Sequence, residues 1–174
     1  MKEYFIKSLP VATGYLTLGL TYGILFQAKG GSPFEALLIA TFCFAGAAQF
    51  IALEFYKADY SWTFLFITIF TLNLRHIFYV LNKIGLFQKN WKRTYLLMAL
   101  TDENYGMMSF YDEVNFTNNE WFKVFALNHF YWILGCVAGS MAPATVIEMS
   151  KGAEFSLIAL FIVIFAANMK RKKI

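Results

Sequence analysis

The chain has 174 residues, of which 59% are hydrophobic, 20% aromatic and only 15% charged, and its formal net charge is +4. A soluble domain averages about 45–50% apolar and about 25% charged residues, so the composition excludes an ordinary soluble protein and predicts an integral membrane protein. The basic clusters at the ends of apolar runs indicate a cytoplasmic membrane flank and argue against nucleic-acid binding.

The first apolar segment, 9–28, is long enough to cross a lipid bilayer and is interpreted as a retained helix rather than a cleaved signal peptide. Pro10 fits the first turn of such a helix. Gly19 and Gly23 form a small-xxx-small pair, which lets another helix backbone approach closely. A locally loosened helix that lines a cavity is the alternative interpretation.

The second segment, 33–56, follows a Gly-Gly-Ser-Pro turn in which Ser32 is a candidate helix cap. Its sequence FAGAAQF at 44–50 places Gln49 deep in an apolar run. A buried amide has to be hydrogen-bonded. Gln49 is therefore predicted either to form an interhelical bond or to face a substrate.

The third segment, 61–82, carries an arginine inside apolar sequence, which costs about 2.5–3.5 kcal/mol at the centre of a membrane helix. Arg75 is predicted either to extend toward the interface or to belong to an internal polar site. Asn73 points away from Arg75 on an ideal helix, so it joins that site only if the helix is locally distorted.

A basic loop leads to segment 95–111, whose two apolar parts are each too short to cross a membrane. The residues Thr101-Asp102-Glu103-Asn104 separate them, and Thr101 or Asp102 is a candidate cap. This pattern is typical of two half-helices that meet at a polar break, or of a re-entrant hairpin. An ordinary surface loop is the alternative.

The remaining apolar segments are 121–141, which contains a second small-xxx-small pair, and 155–169, which precedes a basic C-terminus. The predicted fold is all-α: one transmembrane domain over 1–174, a polytopic helical bundle of about five apolar segments with a broken or re-entrant segment around 95–111. Three full helices before Lys83 would place the N-terminus outside the cell if the basic clusters are cytoplasmic.

Four motifs occur in the order and spacing of the AzlC-type branched-chain amino acid exporter family, which the chain resembles over nearly its whole length. They are FAGAAQF at 44–50, NLRH at 73–76, LTDEN at 100–104 and EFSLIALFIVIF at 154–165. The resemblance implies a multi-pass permease of the bacterial inner membrane. It would export valine, leucine, isoleucine or analogues together with a small AzlD-type membrane subunit.

Two features depart from the family pattern. Thr17 stands where family members usually have a proline, and family members generally continue with further apolar helices after residue 165. The alternative expectation is therefore a truncated or non-transporting membrane subunit that scaffolds a small partner subunit.

Polar residues from three segments are predicted to meet in one substrate site inside the bilayer. An amino acid zwitterion needs a cation or a half-helix N-terminus for its carboxylate and an acceptor for its ammonium group. The predicted substrate-binding residues are Gly46, Gln49, Asn73, Arg75, Thr101, Asp102 and Glu103, and the candidates for proton coupling are His76, Asp102 and Glu103.

No catalytic residue, cofactor or metal site is predicted, and the chain is not expected to be an enzyme. Cys43 and Cys136 lie in apolar runs without a second ligand at metal spacing, so they are interpreted as small buried hydrophobic residues. Neither histidine has a partner at the spacing of a zinc site.

Overall fold

A computed structural model describes residues 2–56, 61–109, 116–143 and 145–146, and these residues form seven α-helices without a strand. Two of these helices are long and apolar enough to cross a membrane. The all-helical prediction is confirmed, whereas segment 155–169 and the basic residues after it lie outside the described residues. The helices are α1 Lys2–Ala28, α2 Pro33–Phe42, α3 Gly46–Phe55, α4 Trp62–Lys83, α5 Trp91–Met98, α6 Asp102–Met108 and α7 Asn118–Ser140.

The helices α1 and α7 run in parallel and pack closely at the centre of the bundle. Near their N-terminal ends, the Tyr4 hydroxyl donates to Glu120 at 3.4 Å. Further along, Gly19 lies against Gly135, where an added Cβ at Gly19 would be 3.1 Å from the Gly135 Cα. The two small-xxx-small pairs that the sequence predicts are therefore each other's partners.

The helices α2 and α3 form a hairpin that enters and leaves the bundle at the same end. After the end of α3, the Tyr56 hydroxyl donates to Glu35 in the first turn of α2 at 3.2 Å. Each arm has ten residues, about 15 Å, which is about half the thickness of a bilayer's hydrocarbon core. The tip, residues 43–45, accordingly lies beside the middle of α7, where Phe44 stacks on His129 at 4.1 Å.

The helix α4 runs antiparallel to α1 and α7. It begins beside the end of α3, where Phe55 packs against Phe64. The connection that follows α4 lies beside the start of α7, where the Asn118 side chain accepts from the Gln88 main-chain N–H at 3.0 Å and donates to the Gln88 carbonyl at 2.8 Å. The chain therefore crosses the bundle once along α4.

The helices α5 and α6 form a second, shorter hairpin that enters from the end opposite to the first. α5 follows α7 toward the middle of the bundle, so that the Tyr95 hydroxyl lies 3.3 Å from His129 Nδ1. α6 returns beside α4, where Tyr105 stacks on Tyr79 at 4.2 Å and lies 5.1 Å from Lys83 Nζ. The re-entrant alternative predicted for segment 95–111 matches this geometry.

A long helix followed by a re-entrant hairpin thus occurs twice, in opposite orientations. The backbone turns at the two tips are also the same: the Ala45 N–H donates to the Cys43 carbonyl at 2.8 Å, and the Thr101 N–H donates to the Ala99 carbonyl at 2.9 Å. Inverted repeats of this kind place broken helices near the bilayer midplane.

Three expectations about the elements were wrong. α1 begins at Lys2, so Pro10 lies inside the helix rather than in its first turn. Segment 33–56 is not one helix, because it reverses at 43–45, where an amide side chain from α3 bonds carbonyls at the end of α2. α4 is uninterrupted, and Asn73 donates to the Ile69 carbonyl of the same helix at 2.8 Å, so the local distortion that Asn73 was expected to need in order to lie beside Arg75 is not required.

The hairpin formed by α2 and α3 also corrects the expected topology. Because this hairpin leaves at the end where it enters, α1 and α4 are the helices that cross between the N-terminus and Lys83. Two crossings return the chain to its starting end. The N-terminal end of α1 and the basic connection between α4 and α5 therefore lie at the same end of the bundle, not at opposite ends.

Candidate functional site

A polar cavity of about 60 Å³ lies where the two hairpin tips meet α1, α4 and α7. Six of the seven predicted substrate-binding residues line it, together with the histidine proposed for proton coupling. Gln49 is not among the residues that line this cavity. The residues brought together are Gly46, Asn73, Arg75, His76, Thr101, Asp102 and Glu103.

An ion pair joins α4 to the tip of the second hairpin. Arg75 Nη1 lies 2.6 Å from Asp102 Oδ2, and the Tyr79 hydroxyl, one turn further along α4, donates to Asp102 Oδ1 at 2.8 Å. Asp102 occupies the first turn of α6, where the helix dipole favours a negative charge. Arg75 thus contacts a carboxylate inside the bundle instead of extending to the membrane interface.

A second acidic group, Glu103, is held from α1. The Tyr15 hydroxyl donates to Glu103 Oε2 at 2.9 Å and lies 2.5 Å from the Thr101 hydroxyl. Thr101 caps α6 by accepting from the Asn104 N–H at 3.3 Å. The sequence predicted either Thr101 or Asp102 as this cap. The sequence analysis missed Tyr15, although its position one turn before Gly19 on the packed face of α1 was a usable signal.

The two half-helices that begin at the cavity have opposite electrostatic character. α3 starts at Ala45 without a side-chain cap, so its first N–H groups keep their hydrogen-bonding capacity and their partial positive charge. α6 starts with a capping hydroxyl and two carboxylates. One tip therefore suits an anionic group, and the other suits a cationic group.

Gln49 fastens the first hairpin instead of lining the cavity. Its Nε2 donates to the carbonyls of Ile39 and Cys43 at 3.2 and 2.6 Å, and its Oε1 accepts from Trp132 Nε1 at 2.9 Å. The two carbonyls also accept main-chain N–H groups at 2.8 Å, Ile39 from Cys43 and Cys43 from Ala45, so the amide adds a second donor to each and joins the two arms of the hairpin. The structure thus favours the interhelical bond over the substrate-facing amide.

Asn104 performs the same task in the second hairpin. Its Nδ2 donates to the Ala99 carbonyl at 2.7 Å, and its Oδ1 accepts from Asn128 Nδ2 at 2.7 Å. In both hairpins an amide on the second arm donates to a carbonyl at the end of the first arm and is anchored in turn to α7. The position of both tips is therefore set by buried amides.

Replacing Gln49 by leucine should destabilise the protein, because the buried Trp132 N–H loses its acceptor and the carbonyls of Ile39 and Cys43 each lose their second donor. Each buried polar group left unsatisfied costs about 1–3 kcal/mol. We expect a clear fall in the unfolding temperature of the purified protein in detergent. The Gln88→Leu variant is the matched control, since this side chain is exposed. Equal unfolding temperatures of both variants and the wild type would contradict the fastening role.

Comparison with known proteins agrees with the geometry. The family model described as AzlC protein matches residues 10–146. An uncharacterized membrane protein of Helicobacter pylori strain J99 is 33% identical over 173 residues, covering 98% of this chain and 76% of the relative. The branched-chain amino acid transport protein AzlC of Bacillus subtilis strain 168 is 31% identical over 184 residues, covering 99% and 69%.

An uncharacterized membrane protein of Archaeoglobus fulgidus is 31% identical over 181 residues, covering 99% of this chain and 78% of the relative. No solved structure matches the chain. The family match spans the two hairpins, α4 and all residues of the cavity described above. The chain therefore belongs to the AzlC family, and it is a membrane protein with a role in transport.

Proposed function

We propose that the protein is a multi-pass protein of the bacterial inner membrane that exports branched-chain amino acids through the cavity between the hairpin tips. The observation that carries the proposal is the pairing of opposite charges at this cavity. The wall of the cavity contains Arg75 and the uncapped start of α3, which suit an anionic group, and Asp102 and Glu103, which suit a cationic group. An amino acid zwitterion presents the complementary pair of charges.

In the proposed complex, the substrate carboxylate bonds Arg75 and the first N–H groups of α3. The ammonium group bonds Glu103 and Asp102. Without substrate, Arg75 and Asp102 satisfy each other at 2.6 Å, so an incoming zwitterion exchanges one ion pair for two charge-assisted contacts. A neutral or singly charged molecule lacks one of these contacts, and this difference favours amino acids over simple amines or acids.

Proton coupling remains a prediction. The three candidates His76, Asp102 and Glu103 all line the cavity. Asp102 is held by Arg75 and Tyr79, whereas Glu103 is held by the hydroxyl of Tyr15. Within the proposal, Glu103 is therefore the carboxylate whose protonation leaves the ion pair intact.

The distribution of charge supports one orientation in the membrane. Among the described residues, most basic side chains lie at the end of the bundle where α1 begins: Lys7, Lys83, Lys89, Lys92, Arg93 and Lys123. Lys29 lies at the other end. Cytoplasmic flanks carry the excess of lysine and arginine. We therefore assign that end to the cytoplasm, so the first hairpin enters from outside and the second from the cytoplasm.

Single cysteines test this orientation in the Cys43→Ala, Cys136→Ala background. We expect Lys29→Cys to react with a membrane-impermeant maleimide added to intact cells, and Lys89→Cys to react only after the cells are permeabilised. Both side chains lie in connections between helices, so they form a matched pair. The reverse pattern would invert the topology, and reaction of both in intact cells would disprove the assigned crossings.

Counterflow in proteoliposomes tests the proposed substrate. The protein, with and without its proposed small AzlD-type subunit, is reconstituted with unlabelled leucine inside and radiolabelled leucine outside. We expect label to accumulate, with competition by valine and isoleucine and little competition by lysine or aspartate. Co-purification of the small subunit without any exchange would instead favour the scaffolding role and would disprove transport by this chain.

A further inference from the structure

A second and larger cavity adjoins the polar one. Its volume is about 460 Å³, and it lies between the tip of the first hairpin, the first arm of the second hairpin, α4 and α7. The two cavities share Phe44, Ala45, Asn73, His76 and Met98 in their walls. They are therefore neighbouring compartments, with Met98 at their junction.

The size of the polar cavity shows that it cannot hold a whole branched-chain amino acid. A volume of about 60 Å³ is less than half of the about 150 Å³ of an apolar cavity that holds one benzene molecule. This is room for the charged groups on the α-carbon but not for an added isobutyl side chain. The side chain of any such substrate has to extend into an adjoining space.

We propose that the second cavity is the subsite for the apolar side chain of the substrate, and that Met98 determines which side chains fit. This inference rests on the proposed function and deepens it. Phe44 forms a fixed wall, because its ring stacks on His129 at 4.1 Å and meets Tyr15 edge-on at 5.8 Å. Met98 on the facing arm is flexible and adapts to different aliphatic shapes.

A third cavity, of about 110 Å³, lies behind Gln49 and shares only Ala48 with the polar cavity. The buried amide of Gln49 is bonded on three sides, so it closes this space toward the site. The second cavity has the wider connection to the polar cavity. This comparison assigns the side chain to the second cavity rather than to the third.

Substrate selectivity tests the role of Met98. In the counterflow assay, Met98→Trp should lower leucine exchange about tenfold relative to alanine exchange, because a filled subsite excludes the larger side chain. Met98→Ala should instead allow phenylalanine to exchange. Met141→Trp is the control, since Met141 is as exposed as Met98, 67% against 66%, but lines neither cavity. The Met141→Trp variant should leave the ratio of leucine exchange to alanine exchange unchanged.

Cys43 provides a second readout, because it is exposed, not buried as the sequence analysis interpreted it, and it lines both the second and the third cavity. In a Cys136→Ala background, leucine should slow the reaction of Cys43 with N-ethylmaleimide about tenfold, whereas glycine should have no effect. If the side chain occupies the second cavity, leucine should protect Cys43 in the Ala52→Trp variant but not in the Met98→Trp variant. The cavity also borders exposed Phe42, so a lipid acyl chain is a competing occupant. A labelling rate that depends on acyl-chain length but not on leucine would overturn the proposal.

The outcomes separate this inference from the proposed function. If the wild type exchanges no amino acid at all, the proposed function fails. If the wild type exchanges leucine but Met98→Trp lowers all substrates equally, only the side-chain subsite is overturned. If Ala52→Trp at the third cavity shifts the leucine-to-alanine ratio while Met98→Trp does not, the side chain belongs to the third cavity, which also overturns the proposal.

Discussion

Replacing Arg75 by alanine is expected to lower leucine exchange by at least about tenfold, and toward the background of empty liposomes. The substitution removes the proposed carboxylate partner and leaves Asp102, 2.6 Å away in the wild type, without its cation. Loss of one partner of a buried ion pair costs about 3–5 kcal/mol. The Arg75 side chain is 33% exposed, so we expect a loss of stability at the lower end of this range.

Two further variants separate a binding defect from a folding defect. The double variant Arg75→Ala, Asp102→Ala removes both charges, so it should unfold near the wild-type temperature and yet remain inactive. Arg93→Ala is the matched arginine control, because Arg93 bonds the Ile84 carbonyl outside the cavity. If the Arg75→Ala variant exchanged leucine at the wild-type rate, Arg75 would not be part of the substrate site.

Replacing Gly23 by alanine should strongly impair folding. A Cβ there would overlap the main chain of α7 and lie 2.5 Å from the Ser140 nitrogen. Because main-chain atoms cannot move aside, α1 and α7 would have to separate. Overpacking of this kind costs about 1–3 kcal/mol and occasionally more. We expect a lower yield of folded protein and a lower unfolding temperature.

Gly14 on the same helix provides the matched control. No atom lies within 4 Å of an added Cβ at Gly14, and alanine is a better helix former than glycine by about 1 kcal/mol. Gly14→Ala should therefore unfold at or slightly above the wild-type temperature. Similar behaviour of Gly23→Ala and Gly14→Ala would show that α1 and α7 are not packed as described.

The sequence predicted one of the two hairpins because only one break is polar. The apolar pattern before α6 is interrupted by three polar residues, Thr101, Asp102 and Glu103, and this interruption indicates the turn. The turn at 43–45 consists of apolar residues, and the amide that supports it lies inside the next arm at Gln49. A buried glutamine after three small residues was visible, but two explanations of it were equally consistent with the sequence.

Contacts between residues of different segments could not be predicted from the sequence. The spacing of Gly19 and Gly23, and of Gly135 and Gly139, predicts two close-packing surfaces without saying that they meet. Likewise Arg75 and Asp102 were both candidates, but their ion pair joins residues from different segments. Such contacts depend on how whole helices are arranged, which local periodicity does not encode.

The position of α4 links substrate recognition to movement. Along its length it exposes apolar residues such as Phe66 and Phe78, at 68% and 69%, while in its second half Arg75 and Tyr79 bond Asp102. The contacts of α4 are made through side chains, whereas α1 and α7 pack main chain against main chain, so α4 should move more easily than α1 separates from α7. Within the proposed function, a substrate that takes Arg75 from Asp102 would remove one of these side-chain contacts, so substrate binding would itself free α4 to move.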